Sequence, residues 1–145
     1  MTRMFDVRTS VEHALVRLHP EFAWHAHELE EFLADAYKAR VTKTLFKVYE
    51  SFRSIERQDY LFKKGSTKAR GGQSAHNYGL AADFVPYITA QEAAAIGVGV
   101  IPGWSWHASH DYPFLKKAAE KFKLETPIPW DLVHVQLPNW KKFAK

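Results

Sequence analysis

Side chains suited to holding zinc stand in two short stretches of the chain. Ser74-Ala75-His76-Asn77-Tyr78-Gly79-Leu80-Ala81-Ala82-Asp83 carries an imidazole and a carboxylate. Asp131-Leu132-Val133-His134 adds a second imidazole, with a second carboxylate three residues before it. Zinc used for hydrolysis keeps three protein ligands and leaves one position for water. His76, Asp83 and His134 meet that requirement, and a nearby carboxylate base lets such a site turn water against an amide bond. A plainer account makes His76 a loop histidine and Asp83 a strand-end carboxylate. If Asp131 bound the metal as well, the site would be closed and structural.

The elements that must position these residues follow from capping signals and periodicity. Thr9-Ser10-Val11-Glu12 reads as a capping box opening a short helix that Pro20 ends. A second helix is expected over residues 21–40, with Phe22, Leu29, Phe32, Leu33 and Ala36 as its apolar stripe. Residues 44–49 have the β-branched and aromatic content of a buried strand. Ser54 is placed to cap a helix running to about residue 64, with Gly65 to end it. A polar, glycine-rich loop over 65–75 leads into the first motif, where Gly79 lets the chain turn. Residues 80–85 read as a strand closed by Pro86, and Thr89-Ala90-Gln91-Glu92 as a capping box before an alanine-rich helix. A Trp-rich loop over 103–110, a helix over 111–123 and a strand over 132–137 complete the chain. Helices mixed with a few separated strands indicate an α+β fold, a small and mostly antiparallel sheet flanked by helices, with the zinc site at the sheet.

Composition narrows the setting. Residues 1–145 read as one domain without a separate binding module, since no linker, repeat or low-complexity tract divides them. No apolar run is long enough to span a bilayer, and the N-terminus lacks the apolar core of a secretory signal. With no cysteine, any metal must be held by nitrogen and oxygen, and the fold is indifferent to redox compartment. Twenty Lys and Arg against sixteen Asp and Glu leave +4, which favours anionic surroundings such as cell-wall polymers. No nucleic-acid motif accompanies that charge.

The pattern Ser-x-His-x-x-Gly-x-Ala-x-Asp, followed by an acidic residue three before a histidine, resembles the zinc D,D-peptidase family. That family includes D-alanyl-D-alanine carboxypeptidases and dipeptidases, and the L-alanyl-D-glutamate endopeptidases of bacteriophage endolysins. The resemblance covers roughly residues 45–137. It implies one Zn2+ ion held by His76, Asp83 and His134, with Asp131 as general base. Many relatives have Glu at that position, and the phage branch tolerates Asp. Tyr49-Glu50-Ser51-Phe52-Arg53 resembles the family's strand-to-helix turn, whose arginine faces the tetrahedral intermediate. Arg53 matches it, although the family often has Gly where this chain has Ser51.

The expected function is therefore zinc-dependent hydrolysis of the peptide stem of bacterial peptidoglycan, by an L-alanyl-D-glutamate endopeptidase acting as a phage endolysin. Such a lysin is a monomer without stable membrane insertion, waiting in the host cytoplasm until released to the periplasm and wall. The alternatives are a D-alanyl-D-alanine carboxypeptidase or dipeptidase, and a non-catalytic zinc-containing wall-binding domain. Ser74 and Trp130 are the expected substrate contacts, Ser74 through its hydroxyl and Trp130 as an aromatic wall beside the base. Trp104 and Trp106 are walls or core anchors. His25 and His27, two apart on a helix, do not face each other and read as surface or boundary residues. His107 and His110 are rim candidates. Lys141, Lys142 and Lys145 with Trp140 and Phe143 form a basic-aromatic tail that suits an anionic surface or a packed terminal turn.

Overall fold

The computed structural model describes Leu15 and residues 17–144. The capping box at Thr9–Glu12, His13 and Lys145 lie outside the described residues. Helix α1 is Pro20–Lys38, and it starts at the proline that the sequence reading used to end a helix. Proline suits the first helical turn, because the N–H it lacks has no intrahelical partner there. The His19 side chain caps that turn by accepting from the Glu21 amide at 3.1 Å. Phe22, Ala26, Leu29, Leu33 and Ala36 form the buried stripe, and Phe32 packs beside it between Phe114 and Phe122.

Strand β1 is Phe46–Glu50 and helix α2 is Ile55–Lys64, with Ser54 as N-cap and Gly65 as a left-handed C-cap. A 3-10 turn over Ala75–Tyr78 precedes strand β2, Ala81–Ile88. Helix α3 is Ala90–Ile96, opened by the Thr89–Glu92 capping box. Strand β3, Gly103–Trp104, occupies part of the expected Trp-rich loop. Helix α4 is Tyr112–Lys121, capped by Asp111. Strand β4 is His134–Gln136, shorter than expected because residues 131–133 form a turn.

β2 is the spine of a four-stranded antiparallel sheet, with β1 along one edge and β4 and β3 along the other. α1 packs on β1 and α4. Phe22, Leu29 and Leu33 meet Phe46, Val48, Phe84, Leu115 and Val135 in the core. The α+β class, with a small antiparallel sheet flanked by helices, is as expected from sequence.

β2 runs through Pro86 rather than closing there. A residue's N–H and C=O point to the same side of a strand, and the Pro86 carbonyl accepts from the Ser105 amide at 2.9 Å, on the side away from β1. Its missing donor therefore falls between the ends of β4 and β3, where no ladder partner waits. The β1 ladder continues past it through the Tyr87 amide to the Leu45 carbonyl at 2.9 Å.

Candidate metal centre

A bulge in β1 is what turns the sheet into a site. Val48 stands opposite Phe84, yet Glu50 stands opposite Asp83, so the register shifts by one residue between them. Side chains alternate faces along a strand, and the shift moves Glu50 from the Phe84 side to the Asp83 side. On the other edge of β2, His134 stands opposite Asp83. One carboxylate is thus flanked by an acid from β1 and an imidazole from β4.

His76 arrives from the 3-10 turn. Ser74 caps that turn, its hydroxyl accepting from the His76 amide at 3.2 Å. Asn77 ties the turn to the β1–α2 connection by donating to the Arg53 carbonyl at 3.0 Å, and the Arg53 amide donates to the His76 carbonyl at 3.0 Å. Gly79 ends the turn at φ +69°, where a Cβ would lie 2.8 Å from both the Arg17 carbonyl oxygen and the His19 nitrogen. Both the backbone angle and the close approach call for glycine there.

His76 Nε2, Asp83 Oδ1 and His134 Nδ1 converge. The imidazole nitrogens lie 3.2 Å and 3.6 Å from Asp83 Oδ1, and 3.2 Å from each other. All three side chains are buried, and their ligand atoms lie within 4.8 Å of one another.

The tautomers follow from the outer contacts. His76 Nδ1 donates to the Ser51 carbonyl at 2.7 Å, since a carbonyl can only accept. The Glu125 carboxylate likewise only accepts, so Gln136 turns its amide nitrogen to Glu125 at 2.9 Å and its oxygen to His134. His134 must then donate from Nε2 to Gln136 Oε1, at 2.8 Å. Each imidazole is left with a lone pair aimed at the other and at a carboxylate oxygen that has no hydrogen-bond partner. Three electron-rich atoms facing one buried point fit a cation, and a His2Asp donor set suits zinc.

Charge organises the rest. Burial works to raise the Asp83 carboxyl, but its imidazole neighbours His76 and His134 bring it well below the usual carboxylate range. Burial likewise opposes charge on His134, and Asp83 outweighs it, so His134 is raised. Asp131 is raised by burial and then by the charge of Asp83. The Asp131-x-x-His134 spacing works through a turn, in which the His134 amide donates to the Asp131 carbonyl at 3.2 Å and brings the two residues to one mouth.

Glu50 is buried between two arginines. Its Oε1 accepts from Arg53 Nε at 2.8 Å, and its Oε2 from Arg57 Nε at 2.6 Å. Gln58 accepts from Arg53 at 2.9 Å, and the outer nitrogen of that guanidinium lies 3.6 Å from Asp83 Oδ2. Arg53 is therefore held at the edge of the metal cluster by groups that leave it little freedom.

A cleft of about 820 Å³ opens over this cluster. Tyr49, Lys64, Lys68, Ser74, Trp106, Trp130, Asp131 and Lys141 line it with the residues above.

No protein-family model matches the chain. A 67-residue alignment at 46% identity relates it to the peptidoglycan L-alanyl-D-glutamate endopeptidase CwlK of Bacillus subtilis strain 168. That alignment covers 40% of this chain and 40% of the relative, so the matched part spans less than half of either. The structure is similar to that of the L-Ala D-Glu endopeptidase ChiX of Serratia marcescens, with a TM-score of 0.52 and 22% identity over 96% of this chain and 95% of that one. The chain is thus similar to one L-alanyl-D-glutamate endopeptidase over the aligned stretch and to another in fold.

The residues picked out by the family motif come together: His76, Asp83, His134, Asp131 and Arg53 meet at one end of the sheet. Ser74 lines the same cleft with its hydroxyl engaged as a cap, and Trp130 stands beside Asp131, 68% exposed. Trp106 reaches the cleft edge-on to Tyr49, whereas Trp104 packs between Tyr49 and Tyr87. His107 and His110 bond Ser109 and Ser105 and do not line the cleft. Trp140 stacks on Tyr78.

Sequence reading passed over Glu50, Gln58, Glu125 and Gln136. Gln136 carried a usable signal, since it lies two residues after His134 and so on the same strand face. Glu125 carried none, because only the fold brings it beside Gln136.

Proposed function

We propose that the chain is a zinc-dependent peptidase that hydrolyses the L-alanyl–D-glutamate bond in the peptide stem of bacterial peptidoglycan. The observation that carries this reading is the buried His76–Asp83–His134 cluster with Asp131 and Arg53 at its mouth. The similarity to two endopeptidases that are named for that bond supports the choice of substrate. His76 Nε2, Asp83 Oδ1 and His134 Nδ1 would hold the ion. Zinc bound there would supply a Lewis acid, lowering the pKa of water and polarising a carbonyl.

The chain's own groups do the rest. Asp131 takes the proton of the attacking water at its carboxylate and passes it to the leaving amine, as general base and then general acid. Arg53 presents a fixed cation to the oxygen on which charge develops, and Glu50 and Gln58 hold that cation still. The phage-lysis setting belongs to the same proposal and rests on no contact in the site.

Digestion of purified peptidoglycan followed by mass spectrometry of the new termini tests the reading. Free L-alanine carboxyl ends are expected. Released D-alanine would favour a carboxypeptidase or dipeptidase, and no new termini would favour a wall-binding domain. Asp131→Asn should lower cleavage by about 100-fold or more while zinc content stays at one ion per chain. Full activity in that variant would remove Asp131 from the mechanism.

A further inference from the structure

Cations and carboxylates do not balance along the cleft. Arg53 and Arg57 are both tied to Glu50, and Asp83 belongs to the metal cluster. Lys68 is different. It lies on the loop after α2, and its ammonium sits 4.1 Å above the ring of Trp130, which also lines the cleft and immediately precedes Asp131. Among the described residues no carboxylate pairs with it. An aromatic face positions an ammonium without a hydrogen-bond acceptor, so the donors turned away from the ring remain open to a ligand.

This inference rests on the endopeptidase reading above and deepens it. A glutamate acylated on its nitrogen has two carboxyls, and a linear stem continues through one of them. The other is left as a free carboxylate or as its amide, close to the scissile bond on the leaving side. Lys68 stands next to the base by way of Trp130, on a cleft wall where no acceptor among the described residues claims it. We infer that the Lys68–Trp130 pair is the subsite for this spare carboxylate, so that the protein prefers stems whose D-glutamate is free over stems in which it is amidated.

The experiment compares two synthetic stem peptides, identical except that the spare D-glutamyl carboxyl is free in one and a primary amide in the other. With zinc-loaded wild-type protein, kcat/KM should favour the free acid by about tenfold, the size of one charge-assisted hydrogen bond. That preference should shrink as salt is raised, because the pair is open to solvent. Lys68→Met should bring the ratio of the two peptides close to one, and Lys68→Arg should keep most of the preference. Because the readout is a ratio, general damage to the protein cancels. Equal use of both peptides by the wild type, or an unchanged ratio in Lys68→Met, would overturn the subsite. Cleavage of neither peptide, or release of D-alanine instead, would overturn the endopeptidase reading and the subsite with it.

Discussion

The two strands that flank β2 at Asp83 support the centre by opposite means. The β1 side is ionic: Glu50 is buried between Arg53 and Arg57, with Gln58 completing the set. The β4 side is an amide relay, running from His134 through Gln136 to Glu125. Buried ions are costly to expose and more costly to strand unpaired, so the β1 side couples the site to folding. The relay passes through a neutral amide and ends on a half-buried carboxylate, so less charge is buried and the β4 side would act on metal affinity. One flank therefore guards the fold, and the other orients an imidazole that could meet a metal ion.

The sharpest way to break this contrast is to remove Glu50. Glu50→Ala leaves two guanidinium groups without their carboxylate and should destabilise the protein by about 3–5 kcal/mol. At this size that lowers Tm by roughly 10 °C, in calorimetry with or without zinc. A shift of only a degree or two would show that the arginines find water or another partner.

Gln136→Ala tests the other flank. Zinc affinity should fall about 10- to 100-fold in competition with a chelator, since His134 loses the acceptor that sets its tautomer. The Tm of the metal-free protein should move much less than in Glu50→Ala. If the two variants lose comparable folding stability, the division of labour fails.

A smaller effect serves as a control outside both flanks. Burial, and then the charge of His107, hold His110 below the ordinary imidazole range, against the pull of Glu92. A group depressed in this way favours the fold above the unfolded imidazole pKa and loses that support as pH falls through its folded value. The drop in Tm between about pH 7.5 and 5.5 should accordingly be smaller in His110→Gln than in the wild type, by roughly 1–2 °C for so open a residue. Equal drops would mean that His110 does not titrate with unfolding.

Much of the candidate site was legible because its residues sit in short patterns. Ser74, His76 and Gly79 are local by nature: a cap, an imidazole of the cluster and a left-handed turn within six positions. Helices were legible for the same reason, through Ser54, Gly65 and the Thr89–Glu92 box. Errors fell where a local rule met a distant partner. Pro20 and Pro86 both read as stops, yet one starts a helix and the other sits at a gap between two neighbouring strands. The short β3 was hidden in a Trp-rich stretch because two residues carry no period.

Residue types and spacing thus pointed to the residues that the fold gathers, His76, Asp83, His134 and Asp131, and to the α+β class, since short motifs and side-chain chemistry are carried by the sequence itself. Tertiary structure alone decided how those parts are held. The bulge that turns Glu50 toward Asp83, the Ser51 carbonyl beneath His76 and the Glu125–Gln136 relay behind His134 all join segments far apart in the chain. Pairing register and burial, which no local window contains, bring them together, and so the chemistry could be read early while its support could not.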